Sequence, residues 1–88
     1  MEFIPFQGRN TLSFRQLDGM NDVPKGSTFR VFKRCAGLRE GEDYFYVAAD
    51  AEPGLIASWR EAGLIYPATV NVVLVTESGY RKLQAARG

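Results

Sequence analysis

The chain opens on a loosely alternating stretch in which Phe3, Ile4 and Phe6 surround Pro5 and precede Gly8. Apolar positions broken up this way predict an extended arm, or a short edge strand, over residues 1–11. Ser13 then stands three residues before Gln16, the Ser-x-x-Gln capping box that opens a helix. Phe14, Leu17 and Met20 follow at three-residue spacing, which places them on one helical face. Pro24 disfavours helical backbone at Val23, so this first helix is short. A second helix is expected from about Lys25–Ser27 to Ala36, with Gly37 as its terminator. Phe29, Phe32 and Ala36 share one face of it, read as the inner one. Ser27, Arg30 and Arg34 share the opposite face, with Val31 beside them.

The second half alternates strand and helix signals. Tyr44-Phe45-Tyr46-Val47 has the aromatic and β-branched character of a strand, and Val70 to Val75 is the clearest strand of all. Between them, about Ala51 to Ala62 reads as a helix with Pro53 in its first turn and Gly63 closing it. Leu55 and Trp59, at four-residue spacing, are expected to face inward. Tyr44–Val47 and Val72–Val75 bracket this insertion and are expected to pair antiparallel. Thr76 can cap a last helix over 76–86, through Tyr80 and Leu83, although Gly79 weakens it. The predicted fold class is α+β: a small winged helix-turn-helix-like domain with a two- or three-stranded antiparallel sheet and about four helices. Residues 13–36 form the helix-turn-helix, and residues 44–75 form the wing with its helical insertion.

Length narrows this to one domain with a modest core, because the chain has 88 residues. The single cysteine, Cys35, allows no internal disulfide and fits a reducing compartment. The opening residues lack the basic-then-apolar order of a signal peptide, and Val72–Val75 is too short to span a bilayer. A cytoplasmic protein without membrane contact is expected. Histidine is absent, as are paired cysteines, a Gly-x-Ser-x-Gly elbow and a phosphate-binding glycine loop. The residues therefore predict no enzyme, no metal site and no cofactor.

Net charge is only +1, but its distribution is uneven. Lys25, Arg30, Lys33, Arg34 and Arg39 succeed one another without an acidic residue, whereas Glu40 to Glu61 is acidic and opposed only by Arg60. A segregated dipole can present one basic face even when the total nearly cancels. Two short helices followed by a strand, an insertion and a second strand give the geometry in which a second helix enters the DNA major groove. Arginine can pair bidentately with guanine, and serine can meet a base or a phosphate, so Ser27, Arg30 and Arg34 are candidates for base contacts. Lys25, Thr28 and Lys33 are candidates for the DNA backbone. The segment Val23 to Phe29 holds one residue more than the commonest helix-turn-helix spacing.

Four segments carry a family resemblance. They are Ser13-Phe14-Arg15-Gln16-Leu17-Asp18, Pro24-x-Gly26-Ser27-Thr28-Phe29-Arg30-x-Phe32, Glu40-Gly41-Glu42-Asp43-Tyr44-Phe45 and Val73-Leu74-Val75-Thr76-Glu77-Ser78-Gly79-Tyr80. In this order, from about Leu12 to Leu83, the chain resembles the phage ORF-six-N domain. That domain is related to the KilA-N and Bro-N domains of phage and prophage antirepressor-like proteins. The resemblance implies double-stranded DNA as partner and a role in transcriptional regulation of phage or prophage genes. Such domains usually precede a longer C-terminal partner, so either a stand-alone regulator or a piece of a longer protein is expected. The alternative function is a protein-interaction module contacting a repressor or host factor. A protein partner or a homodimer would then take the place of DNA.

Overall fold

A computed structural model describes residues 2–87. Its elements run β1 (Ile4–Phe6), β2 (Arg9–Ser13), α1 (Phe14–Met20), α2 (Ser27–Arg34), β3 (Tyr44–Val47), α3 (Pro53–Glu61), β4 (Val72–Val75) and α4 (Glu77–Arg87). The class is α+β, as the residue pattern predicts. The sheet, however, has four antiparallel strands, in the order β1-β2-β4-β3, where two or three were expected. The surplus comes from the N-terminus, which is a hairpin. Gln7 (φ 48°) and Gly8 (φ 76°) turn between the paired residues Phe6 and Arg9. Two consecutive left-handed residues match the right-handed twist of the flanking strands, so this short loop folds the arm back.

Period-two alternation gives the sheet two apolar faces. Phe45, Val47, Val72 and Leu74 point to one side, where Ile56 and Trp59 of α3 cover them together with Ile4 and Ile65. The inserted segment is helical as expected, but its inward pair is Ile56 and Trp59; Leu55 is 42% exposed. Leu12 and Val75 point to the other side and pack with Leu17, Val31 and Leu83 of the remaining helices. Removing each such side chain from water contributes roughly 1.5–3 kcal/mol, so both layers depend on the sheet between them. β4 lies inside that sheet, paired to β2 through Leu12 and Val75 and to β3 along its whole length.

Two local features fix the helices on this frame. Ser13 caps α1 with the full reciprocal box: its hydroxyl accepts the Gln16 amide, and the Gln16 side chain accepts the Ser13 amide. Gly79 lets α4 approach the β3 corner. A Cβ there would lie 2.0 Å from the Asp43 carbonyl oxygen, so glycine is required by contact and not by backbone conformation. Among the described residues, no helix is long and apolar enough to cross a membrane.

Candidate nucleic-acid interface

The position of α2 is set by a carboxylate on α1. Gly26 is the N-cap of α2 and has no side chain to offer the free amides of the first turn. Asp18, buried to 2% exposure, supplies the acceptor instead. It accepts the Gly26 amide at 3.0 Å, the Thr28 amide at 2.8 Å and the Tyr66 hydroxyl at 2.6 Å. Burial pushes the Asp18 carboxyl up, but the bonds from Tyr66, Thr28 and Gly26 outweigh it and hold it below the usual carboxylate range. The same pairing acts oppositely on its partner. Burial first, then the hydrogen bond to Asp18, push the Tyr66 phenol up to about 12.

This anchor rotates α2 away from the orientation its periodicity predicts. Thr28 (0% exposed) and Val31 (6%) face the core, with Phe32 and Cys35 half-buried beside them. Phe29, expected inside, is 47% exposed. The sequence-based assignment of Thr28 to the DNA backbone is therefore corrected. Asp18 draws its amide inward, and its hydroxyl accepts a 2.9 Å bond from Arg87. Ser27 is half-buried at the edge of the outer face. Lys25, Arg30, Lys33 and Arg34 are exposed. Arg30, Lys33 and Arg34, at i, i+3 and i+4, form one outward face, so Lys33 belongs with the two arginines. Its ammonium lies 5.3 Å from the centre of the Phe29 ring.

None of these four cations is in an ion pair among the described residues. The ion pairs among the described residues are Arg81–Glu77 and Lys82–Asp43, and neither involves α2. The acidic turn before β3 is engaged elsewhere. Asp43 accepts from Lys82 at 2.7 Å, from Ser78 at 2.7 Å and from the Arg39 amide at 2.9 Å. Burial opposes these contacts, yet together they hold its carboxyl down at about 2. The turn thus binds α4 and leaves α2 uncovered. No group of histidine, cysteine, aspartate or glutamate side chains among the described residues is arranged to hold a metal ion.

Beside the N-terminal end of α2 runs a groove of about 500 Å³, bounded by α1, the 65–71 loop and the face of the β3–β4 pair. Tyr46 and Val73, directly paired across those strands, form its floor, and Tyr46 is 50% exposed. Phe14, Phe29 and Tyr66 supply further ring surface to its walls. The Arg15 guanidinium lies 5.6 Å and the Lys25 ammonium 5.0 Å from the centre of the Tyr66 ring. Arg15 also donates to the Ile65 carbonyl at 3.1 Å.

Of the groove residues, the sequence pattern marks only Lys25 as a candidate contact. Arg15 was visible in the capping-box segment but had no periodic reason to be chosen. Tyr46 and Tyr66 depend on contacts between distant parts of the chain. Comparison with family models, with curated proteins and with solved structures gave no match.

Proposed function

We propose that this chain is a DNA-binding domain of a phage or prophage transcriptional regulator of the antirepressor-like kind. It reads double-stranded DNA with α2 and acts in the cytoplasm. One observation carries the reading: Arg30, Lys33 and Arg34 stand on the solvent face of one helix, with Lys25 at its start, and no carboxylate pairs with any of them among the described residues. Arg30 and Arg34 have the donor geometry to pair with guanine, and Lys25 and Lys33 serve phosphates. Ser27, half-buried, reaches a base edge or phosphate only from the rim. The segmental resemblance to phage regulatory domains supports the same reading.

The alternative, a module that contacts a repressor or host factor, draws on the half-exposed ring of Phe29 beside these cations. Titration against mixed-sequence duplex DNA at low salt separates the two. A DNA-binding domain of this kind saturates with a Kd on the order of 10⁻⁴ to 10⁻⁶ M even on non-specific duplex. Absence of binding up to about millimolar, beyond that range, overturns the DNA reading.

A further inference from the structure

The groove beside α2 has a composition that duplex reading does not need. It offers exposed ring surface from Phe29 and Tyr46, a third ring in Tyr66, and two cations, Arg15 and Lys25, at that ring. We propose that this groove holds an unpaired nucleobase of a nucleic-acid strand, stacked on Phe29 and Tyr46, with its phosphate held by Arg15 and Lys25. The inference rests on the reading of α2 as a nucleic-acid-binding helix, which it extends from duplex to unpaired strand.

Three observations favour this occupant. First, bases bind proteins without paired partners by stacking on aromatic side chains inside a positively charged channel, and both parts are present here. Second, no acidic side chain lines the groove among the described residues, and Asp18, which is bonded to the lining residues Gly26 and Tyr66, is itself buried and fully engaged by Gly26, Thr28 and Tyr66. An anionic occupant meets Arg15 and Lys25 unopposed. Third, the groove is continuous with the basic face of α2: Lys25 and Phe29 line it, and Lys33 lies over the same Phe29 ring. A strand leaving a duplex on α2 therefore passes from one to the other without crossing an acidic surface. The volume, about 500 Å³, falls in the roughly 300–1,000 Å³ range of ligand sites and exceeds what a single planar base requires. The floor is the face of a strand pair, so the groove presents ring and cation surface and not a ladder of backbone hydrogen bonds.

The test uses three fluorescent DNAs of equal duplex sequence: blunt-ended, carrying a short thymidine overhang, and carrying an overhang of abasic sugar-phosphates of equal length and charge. Stacking predicts that the thymidine overhang binds roughly 5- to 100-fold more tightly than the abasic one. Phe29→Leu and Tyr46→Val keep apolar volume and strand character but remove the ring faces. Each should erase most of that difference, and Tyr46→Val, away from α2, should leave blunt-duplex affinity within about twofold. Equal affinity for thymidine and abasic overhangs overturns the proposal and leaves duplex reading by α2 intact. Thymidine oligonucleotide binding that is lost in Phe29→Leu, with no blunt-duplex binding, supports the groove and overturns the duplex reading. If a peptide rich in aspartate and phenylalanine shifts the backbone NMR signals of Gly26, Phe29 and Tyr46 while thymidine oligonucleotide does not, the groove is a protein-docking site and the proposal falls.

Discussion

The Asp18 carboxylate and the Thr28 amide belong to different helices, ten residues apart in sequence, and meet at 2.8 Å. A helix whose own N-cap is glycine is thus capped from its neighbour, and the direction its side chains point is decided there. Asp18→Ala leaves the Gly26 and Thr28 amides and the Tyr66 hydroxyl without their acceptor. The expected loss is roughly 2–3 kcal/mol of folding stability, read from urea denaturation. Asp18→Asn keeps one oxygen in place and should recover part of it. Equal stability of the alanine variant and the parent would show that α2 is positioned by packing alone.

The pH dependence runs in opposite directions at the two ends of the scale. Asp18 and Asp43 are held below the ordinary carboxylate value of 3.8, Asp43 at about 2. The unfolded chain then binds protons before the folded one, so these contacts stabilise fully above about pH 4. They are lost as pH falls from there toward 2. For Asp43 the effect is on the order of 1 kcal/mol once screening at Lys82, whose side chain is 43% exposed, is allowed for. Lys82→Met should flatten the acid limb of the stability–pH curve.

Tyr66 behaves conversely. Its phenol is raised from 10 to about 12, so the folded chain holds its proton longer and stability falls as pH rises through that interval. Tyrosinate absorbance should show one of the four tyrosines titrating late, and Tyr66→Phe should remove that component. A single ordinary titration for all of them would contradict the Asp18–Tyr66 bond.

Two glycines in helices should respond oppositely to alanine. At Gly79 the new methyl meets the Asp43 carbonyl at 2.0 Å, and backbone has to move; the expected cost is about 1–3 kcal/mol. At Gly54, in the first turn of α3, nothing lies within 4 Å of the added carbon. Gly54→Ala should stabilise the domain by roughly 0.4–1 kcal/mol through the unfolded state. Thermal midpoints moving in the same direction would disprove this account of Gly79.

On DNA, the side chains of α2 should separate by role. Contact with about three to five phosphates gives a log–log salt slope of roughly −3 to −5 for the parent domain. Lys33→Ala should weaken all sequences alike and reduce that slope by about one. Arg30→Ala or Arg34→Ala should cost roughly 1–3 kcal/mol on a cognate site and much less elsewhere. Thr28→Val, at a buried position, should lower stability by about 1 kcal/mol and leave the salt slope unchanged.

Much of the frame could be read from residue types because its signals are local. The capping box at Ser13 and Gln16, the strand Val72–Val75 with its partner Tyr44–Val47, and the helix behind Pro53 each depend on a few adjacent residues. What escaped was decided at a distance. Periodicity ranks Phe29 as more apolar than Thr28, but Asp18 and Arg87 hold Thr28 inside and turn Phe29 out. Leu55 and Ile56 are equally apolar neighbours, and only the packing of α3 on β3 and β4 selects Ile56. The hairpin did leave a local trace: Gln7-Gly8 between Phe6 and Arg9 is a two-residue turn, obscured by Pro5 in the first strand. Of the interface, the basic residues of α2 were legible and the groove beside it was not, since its rings come from four separate parts of the chain.

The place of β4 inside the sheet has a consequence for the order in which the protein is made. Leu12 and Val75 are partners, and Val72, Leu74 and Val75 belong to the two apolar clusters that cover the sheet. A ribosome finishes β2 early, with β1 beside it, and must translate α1, α2, β3 and α3 before its second partner strand, β4, exists. Until then Phe45, Ile56 and Trp59 on one side, and Leu17 and Val31 on the other, have no central strand to close upon. Nascent intermediates of this domain should therefore be open to proteases until β4 emerges, after which the long-range pairings form together.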